Sequence, residues 1–467
     1  MEVLKKEVVF DTLPKWKVPP HLVDNAAFIL PNEVVVVLDD DPTGTQTVHG
    51  IPVLTDFSLE SFMAEIQRNI ALFYVLTNSR SLKESDTIAL HKQLAERLQQ
   101  AALKNHKQLK IISRSDSTLR GHFPAETNAL AAVLFENSTF ITVLAPAFFE
   151  GGRYTLNNIH YVEDGDDLIA AADTSYATDR SFGYSKSNLY DWAIEKSAGS
   201  LTSDQIFDIS IEDIRVHGAA FITNKIIENR TKKVLIVNAT DYTELQVALA
   251  GIKQAESKEI NFLFRTAASF VPAYSGMDRK AVFQKGELKV SGNPGLIIVG
   301  SYVPKTSAQL EPLLVLKDLV SIEIEVTKLI EPSVRKTEID KKAKLTNEHL
   351  QAGRHVVLYT SRKLVSSQSK EQSLGIVNEV SQGVVDIVSN ITVEPGFIIA
   401  KGGITSSDIA TKALQIKRAM VLGQILPGIP VWKPDDQSKF PGVPYIVFPG
   451  NVGSNNALFD TFQKLIY

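Results

Sequence analysis

Short runs of β-branched and other apolar residues alternate along this 467-residue chain with longer segments of helical periodicity. The runs predict strands at 34–38, 72–76, 109–112, 140–144, 233–237, 296–299, 356–359, 397–400, 419–422 and 445–448. The intervening segments predict helices, most clearly at 59–70, 85–103 and 243–256. Strands that alternate with helices build mostly parallel sheets, because each helix carries the chain back to start the next strand. The sequence therefore predicts an α/β fold.

The length of the chain and one polar stretch predict two domains. A chain of 467 residues exceeds what one ordinary hydrophobic core holds. Residues 278–294 are polar and contain glycine, asparagine and proline, and the strand pattern stops before them and restarts after them. We expect an N-terminal domain over 1–285 and a C-terminal domain over 286–467, each with a largely parallel sheet.

Composition and charge exclude several classes of function. Lys and Arg number 49 against 53 Asp and Glu, so the formal net charge is -4 and lacks the basic excess of a nucleic-acid-binding protein. The absence of cysteine removes disulfides and thiolate nucleophiles, and the nine histidines show no zinc-ligand spacing. No apolar run reaches membrane-spanning length, and the N-terminus does not resemble a signal peptide. We expect a cytoplasmic protein without nucleic-acid or membrane partners.

Three consecutive carboxylates, those of Asp39, Asp40 and Asp41, follow the first predicted strand and precede a turn at 42–44. The carboxyl ends of the strands form the ligand-binding edge of an open α/β sheet. Adjacent like charges repel, so a structural turn gains nothing from three of them. A metal ion, a cationic substrate group or proton transfer would each explain the cluster, and a solvated acidic turn is the structural alternative.

Two further polar clusters, 113–122 and 145–160, each follow a predicted strand. The candidate residues of the first are Arg114, Asp116, Ser117, Thr118 and Arg120. The second contains Arg153 and His160. Guanidinium groups bind carboxylates or phosphates through paired hydrogen bonds, and hydroxyl groups suit a polyol. We expect the three clusters to converge on one edge of the sheet; three ordinary polar loops are the alternative.

Four turns of small residues follow predicted strands in the C-terminal half. They lie at 300–301, 360–362, 401–406 and 449–454. Small residues let backbone N–H groups approach phosphate, and a helix that begins at Ser406 or Ser407 would direct its N-terminus there. The common nucleotide signatures are absent, since Ser301 stands where a P-loop needs lysine and no G-x-G-x-x-G is present. The four turns favour a nucleotide cradle of another kind.

These motifs resemble those of the four-carbon acid sugar kinase family. Residues Asp40-Asp41-Pro42-Thr43-Gly44 are similar to the family's D-D-x-T-G turn, and 116–121 are similar to its D-S-T-L-R-G segment. Residues 146–160 resemble its third substrate-side segment. In the C-terminal half, 402–406 are similar to its G-G-x-T-S nucleotide turn and 450–453 to its closing glycine loop. The match covers most of the chain, and its first two motifs are the most specific.

The resemblance implies that a sugar-acid domain and a nucleotide domain face each other across a cleft. It implies transfer of phosphate from ATP to a hydroxyl, the 4-OH, of threonate, erythronate or 3-oxo-tetronate. In this hypothesis Asp41, with Asp116 as second choice, orients or deprotonates the attacking hydroxyl, and Mg²⁺ bridges the phosphates. The implied substrate-binding residues are Asp40, Thr43, Arg114, Ser117, Thr118, Arg120, Arg153 and His160. The implied ATP-binding residues are Ser301, Gly402, Gly403, Ile404, Thr405, Gly450 and Gly453.

The sequence differs from the family pattern in two respects, one in the nucleotide turn and one in the length of the N-terminal half. Ile404 stands where shorter members often have glutamate, so only its backbone is expected to contact the nucleotide. The N-terminal segment up to about residue 32 and the region 160–230 exceed the compact pattern. A kinase of another small polyhydroxy acid, such as glycerate or a longer aldonate, is one alternative, and a non-catalytic sugar-acid sensor is another. A homodimer is compatible with the sequence.

Overall fold

The computed structural model describes residues 4–19, 27–136, 138–300, 303–362, 370–450 and 452–466. Its strands are β1 (Leu4–Lys5), β2 (Glu33–Asp39), β3 (Ile51–Leu54), β4 (Leu72–Leu76), β5 (Gln108–Arg114), β6 (Phe140–Ala145), β7 (Arg153–Leu156), β8 (Ile159–Asp164), β9 (Asp167–Ala170), β10 (Ile206–Ile209), β11 (Val234–Val237), β12 (Asn261–Thr266), β13 (Leu296–Val299), β14 (Leu319–Ile324), β15 (His355–Thr360), β16 (Ile398–Lys401), β17 (Arg418–Leu426), β18 (Ile429–Pro434) and β19 (Tyr445–Phe448). Its α-helices are α1 (Lys6–Asp11), α2 (Leu59–Gln67), α3 (Glu84–Lys104), α4 (Ala125–Leu134), α5 (Leu189–Lys196), α6 (Gly218–Glu228), α7 (Tyr242–Glu256), α8 (Phe270–Ser275), α9 (Pro304–Leu314), α10 (Val326–Ile330), α11 (Pro332–Gln351), α12 (Lys370–Ser389), α13 (Gly403–Asp408) and α14 (Ala457–Leu465). The chain divides into two compact units, 1–48 with 56–279 and 49–55 with 280–467.

The first unit contains a parallel sheet with the strand order β10-β11-β6-β12-β5-β2-β4. Val34 to Val37 of β2 are at most 1% exposed, as is typical of a central strand covered on both faces. Burying each of these side chains stabilises the fold by roughly 1.5 kcal/mol or more. Because the strands are parallel, Asp39, Arg114 and Ala145 end their strands at the same edge. The three predicted polar clusters therefore start from one edge of this sheet.

A smaller antiparallel sheet, β1-β9-β8-β7, belongs to the same unit. Tyr154, Leu156, Tyr161 and Leu168 pack together on it. Lys6, at the start of α1, donates hydrogen bonds to both carboxylate oxygens of Glu163 at 3.0 and 2.9 Å. The N-terminal segment is thus packed against the small sheet.

The second unit contains a mixed sheet with the strand order β3-β17-β18-β19-β16-β13-β15-β14. The strands from β19 to β14 are parallel, whereas β3, β17, β18 and β19 pair in antiparallel fashion. Ile297, Val357, Ile399 and Ile446, from four adjacent parallel strands, form the centre of its core with Phe462 of α14. The turns that follow these parallel strands all lie at one edge of the sheet.

The predicted fold class is confirmed: the chain is an α/β protein of two units with largely parallel sheets. One local prediction was wrong, because α13 begins at Gly403 and not at Ser406 or Ser407. Gly402 has φ 117°, a conformation that favours glycine and lets the chain turn from β16 directly into the helix. Within the described ranges, no helix is long and apolar enough to cross a membrane.

Candidate functional site

Two loops of the first unit hold an aspartate in the same way. After β2, the Asp41 carboxylate accepts hydrogen bonds from the backbone N–H of Thr43 at 2.9 Å and from its hydroxyl at 2.5 Å. After β5, the Asp116 carboxylate accepts from the backbone N–H of Thr118 at 3.2 Å and also from its hydroxyl. Both are Asp-x-Thr turns in which the carboxylate replaces a backbone acceptor. The two threonine hydroxyls therefore fix carboxylates in this structure.

Arg80, in the loop after β4, binds both of these carboxylates. Its Nη2 pairs with Asp41 Oδ2, and its Nη1 lies 2.9 Å from Asp116 Oδ1. Asp116 also accepts from Arg120 Nε and Nη2 at 2.8 and 3.1 Å. Burial alone would raise both aspartate pKa values, but the charge of Arg80 and the bonds from neighbouring groups hold them below the usual range. Both side chains are anions at neutral pH, and they stay 19% and 12% exposed.

Asp39 and Asp40 are buried under the same strand ends. Asp39 Oδ1 lies 3.4 Å from Arg114 Nη1, and burial raises the pKa of Asp39 to about 8. Among the described residues, neither carboxylate oxygen of Asp40 has a hydrogen-bond partner. Burial raises the pKa of Asp40 to about 6, against the opposing charge of Arg80. Asp40 and Arg114 present almost no surface to a ligand here, so their contact with substrate stays a prediction.

The acidic turn ends in glycine because residue 44 packs directly against the Asp39 side chain. A Cβ atom at this position would overlap the carboxylate of Asp39. The turn can therefore pack this closely against Asp39 only with glycine at residue 44.

Arg120 and Arg153 both lie close to one aromatic ring, that of Tyr176. The ring of Tyr176 is 5.2 Å from the guanidinium carbon of Arg120 and 5.7 Å from that of Arg153. Arg153 Nη2 also donates to the Tyr176 hydroxyl at 3.3 Å, and Arg120 Nη1 is 3.5 Å from Asp179 Oδ2. The two arginines that are predicted to bind the substrate carboxylate thus both lie next to Tyr176.

His160 is buried and uses both ring nitrogens inside the protein. Nε2 lies 2.7 Å from the Ser117 carbonyl oxygen, and Nδ1 lies 3.0 Å from Thr155 Oγ1. Burial lowers the pKa of His160 to about 4, so the ring is neutral at physiological pH. Nε2 then donates to Ser117 while Nδ1 accepts from Thr155. The predicted substrate contact of His160 therefore lacks a free ring nitrogen, and the side chain instead supports the loop that carries Asp116.

The glycine turns of the second unit meet at the edge formed by its parallel strands. The Thr360 hydroxyl donates to the Gly300 carbonyl at 3.2 Å, and the Gly402 N–H donates to the Phe448 carbonyl at 2.8 Å. These bonds join the ends of β13 and β15 and the ends of β16 and β19. The four predicted turns are therefore neighbours in space.

Lys401, the last residue of β16, links two of these turns. Its buried Nζ donates to the carbonyl oxygens of Pro449 and Gly450 at 2.5 and 2.9 Å. Burial, together with the positive charge of Lys305, lowers the pKa of Lys401 to about 7. The side chain therefore holds the loop at Pro449 and Gly450 in place, and it loses its charge close to neutral pH.

The predicted nucleotide-binding residues in the described ranges lie on these turns. Ile404 is 52% exposed, and a Cβ at Gly450 would meet no atom, so both positions border open space. The Thr405 side chain lies against Gly300. Gly402 precedes α13, Gly403 is its first residue, and Gly453 precedes α14. Ser301 and Asn451 lie outside the described residues.

The donor set fits Mg²⁺ only as a partner of bound phosphate. In the part of the chain that is described, no three His, Asp or Glu side chains come together as metal ligands. Mg²⁺ is usually held by one or two carboxylates with substrate phosphates and water. Asp41 and Asp116 are ionised and partly exposed, so they could supply such ligands.

Two family models match the chain. A model described as a sugar-binding N-terminal domain matches residues 35–274, more than half of the chain, and one described as a nucleotide-binding C-terminal domain matches 296–458. The chain belongs to the four-carbon acid sugar kinase family. It thus combines a sugar-binding domain with a nucleotide-binding domain, and its partners include small molecules of these two kinds.

Solved structures with little sequence identity share the fold. A Salmonella typhimurium LT2 protein with the provisional name tRNA synthase is 16% identical, with a TM-score of 0.65 over 91% of this chain and 98% of its own. A Haemophilus influenzae protein of a family named for a domain of unknown function is 18% identical, with a TM-score of 0.61 over 92% and 100%. No curated protein matches the sequence.

Arg80, Lys401, Tyr176 and Asp179 belong to the site in addition to the residues that the sequence predicts. Arg80 follows the predicted strand 72–76, so the rule that found the other clusters could have found it. Lys401 stands inside a predicted turn, but only its burial reveals what it binds. Tyr176 and Asp179 follow no predicted strand, and no local pattern in the sequence indicates them.

Proposed function

We propose that this family member is an ATP-dependent kinase of a four-carbon sugar acid. The acceptor is a hydroxyl, the 4-OH, of an acid such as threonate, erythronate or 3-oxo-tetronate. One observation carries the proposal: two ionised carboxylates, Asp41 and Asp116, are fixed by Arg80 next to the guanidinium of Arg120. Such a site offers an acceptor for a hydroxyl proton and a cation for an acid group. Both are needed to phosphorylate a sugar acid.

Asp41 is our candidate for the residue that orients or deprotonates the attacking hydroxyl. Its carboxylate is ionised, partly exposed and held by Thr43 and Arg80. Asp116 is the second choice, because its oxygens already bind both Arg80 and Arg120. A weakly basic carboxylate acts mainly by accepting the hydroxyl hydrogen bond, and it takes the proton as the new O–P bond forms.

Arg120 and Arg153 are our candidates for binding the substrate carboxylate. Their guanidinium groups both lie close to the ring of Tyr176. Planar guanidinium groups bind a carboxylate through parallel hydrogen bonds, which fix its orientation as well as its position. Anchoring the acid at one end would hold its far hydroxyl at the carboxylate that accepts the proton.

ATP is our proposed phosphate donor, held by the turns of the second unit. The candidate contacts are Ser301, Gly402, Gly403, Ile404, Thr405, Gly450 and Gly453. Their support is the open space beside Gly450 and the exposed Ile404, where backbone N–H groups can reach phosphate oxygens. Mg²⁺ bound to the phosphates would neutralise part of the negative charge on the transferred group.

The test is coupled ADP release by the full chain with a panel of acids. The panel holds threonate, erythronate and 3-oxo-tetronate, with glycerate and a five-carbon aldonate as length controls. We expect turnover with one four-carbon acid at a kcat/KM at least tenfold above the length controls, and a phosphate ester on the 4-OH by NMR. A preference for a three- or five-carbon acid would replace the four-carbon assignment. Binding of acid and ATP without ADP release would make the protein a sensor.

A further inference from the structure

The segment 171–184 covers the side of the site that carries Arg120. The Tyr184 hydroxyl donates to the Thr118 carbonyl at 2.8 Å, which ties the segment to the second Asp-x-Thr turn. The ring of Phe182 meets that of His122 edge-on at 4.8 Å. The ring of Tyr176 lies within 5.7 Å of the guanidinium carbons of both Arg120 and Arg153. The segment is therefore part of the wall around the guanidinium groups.

Asp179 of this segment is held so that one carboxylate oxygen faces Arg120. Its Oδ1 accepts hydrogen bonds from the backbone N–H groups of Ser181 and Phe182 at 2.8 and 3.0 Å. Its Oδ2 lies 3.5 Å from Arg120 Nη1. Because two backbone N–H groups of its own turn bind Oδ1, the carboxylate of Asp179 is held in place by the segment itself.

With Asp179, the partly exposed part of the cluster holds three guanidinium groups and three carboxylates, and the buried Arg265 and Asp40 next to it add one charge of each sign. The guanidinium groups are those of Arg80, Arg120 and Arg153, and the carboxylates are those of Asp41, Asp116 and Asp179. An acid ligand with one carboxylate adds one negative charge to a neutral group. A ligand with two carboxylates adds two, and the second is opposed by every fixed carboxylate nearby.

We propose that Asp179 is a specificity-determining residue of the acceptor site, a fixed negative charge beside Arg120 that favours monoacids over diacids. The inference rests on the proposed function, since it assumes that Arg120 faces the acid. It assigns Asp179 no part in the chemical step. Its role is to set the net charge that a ligand meets at the arginine pair.

The decisive variant is Asp179→Asn, which removes the charge and keeps the Oδ1 acceptor for the turn. Asp173→Asn, an exposed position earlier in the same segment, is the charge-matched control. Binding of tartrate, a four-carbon diacid, is measured by calorimetry without ATP, and the KM of the best monoacid is measured by ADP release. We expect Asp179→Asn to lower the monoacid KM about two- to fivefold, the range of a partly exposed charge interaction. Tartrate affinity should rise by a larger factor.

The opposite sign would overturn the inference. If Asp179 merely orients Arg120, Asp179→Asn weakens both tartrate and the monoacid, whereas Asp179→Glu restores them. Equal fold changes for tartrate and the monoacid, or an equal effect of Asp173→Asn, would also contradict the proposed role of Asp179 in favouring monoacids. Tartrate binding does not depend on turnover. If the wild-type protein binds tartrate but phosphorylates no acid, the proposed function is refuted, and the role of Asp179 in choosing monoacids over diacids is then decided by the binding data alone. If neither the wild-type protein nor Asp179→Asn binds tartrate, the proposed role of Asp179 is refuted.

Discussion

Asp41 and Asp116 lie on loops after different strands, yet both carboxylates bind the same guanidinium, that of Arg80. Neighbouring carboxylates repel, and one of such a pair usually takes up a proton. The positive charge between these two instead holds both pKa values below the usual range. The first unit therefore presents two fixed anionic acceptors at neutral pH, and of the side chains that the structure describes, Arg80 is the one cation that contacts both of them.

Replacing Arg80 by methionine should destabilise the protein and remove activity. Asp41 and Asp116 would stay mostly buried with their main cation gone, and breaking such an ion pair costs about 3–5 kcal/mol, less here because the site is partly exposed. We expect a loss of about 2–4 kcal/mol in the free energy of unfolding at pH 7, measured by urea titration. The loss should shrink at pH 4, where the carboxylates of the variant take up protons.

Two further variants separate charge from geometry at this position. Arg80→Lys keeps the charge, but a single ammonium cannot reach both carboxylates with parallel hydrogen bonds. It should therefore recover only part of the stability and little of the kcat. Arg180→Met, an exposed arginine outside the cluster, should leave both unchanged. Full activity of Arg80→Lys would show that the bridge between the aspartates is not needed.

Asp41→Asn should abolish turnover while ATP binding survives. Removing a residue that accepts the hydroxyl proton lowers kcat by about 10²–10⁴-fold, and the nucleotide turns belong to the other unit. Steady-state ADP release and calorimetric ATP titration measure the two effects separately.

Asp116→Asn should mainly raise the KM for the acid, because Asp116 holds Arg120. The reverse pattern would exchange the roles of the two aspartates.

The buried Asp40 should make stability depend on pH in the opposite sense to Asp41. Its pKa is raised to about 6, so between pH 4 and pH 6 the native state keeps a proton that the unfolded chain releases. The free energy of unfolding therefore falls as pH rises through this window, by about 2–3 kcal/mol from Asp40 alone. Asp40→Asn should lack this fall when urea unfolding curves at pH 4, 5, 6 and 7 are compared with wild type. Parallel pH profiles for the two proteins would show that burial does not raise the pKa of Asp40.

Much of the fold could be predicted because buried parallel strands are continuous apolar runs. The runs at 72–76, 296–299 and 445–448 match β4, β13 and β19 in full. The strands of the small antiparallel sheet were not predicted, since β7, β8 and β9 are short and mix polar with apolar residues. For the same reason β14, which alternates buried and exposed residues, was not found.

For the candidate site, the positions of many residues could be predicted from the sequence, but their binding partners could not. Residues directly after a strand, such as Asp41, Asp116 and the glycines of the second unit, could be predicted because strand ends share one edge. What each side chain binds could not, because Arg80 and Asp179 reach their partners across loops. Nor could the sequence predict that both ring nitrogens of His160 have partners inside the protein, and its contact with substrate stays a prediction.

Lys401 provides a test of the nucleotide turns that leaves the acid site untouched. Lys401→Met keeps the length of the side chain but leaves the carbonyls of Pro449 and Gly450 without their donor, so the closing loop should lose its fixed position. We expect the KM for ATP to rise about tenfold, equivalent to about 1.4 kcal/mol, with the KM for the acid unchanged. Lys433→Met, an exposed lysine on β18, is the control.

The pH dependence of ATP affinity tests the charge of the same lysine. The pKa of Lys401 is about 7, and bound phosphate should raise this pKa because it favours the charged form. The ATP affinity of the wild-type protein should therefore fall as pH rises from 7 to 9, whereas that of Lys401→Met should not. If the variant shows the same pH dependence as wild type, the lysine does not sense the nucleotide and its role is confined to holding the loop.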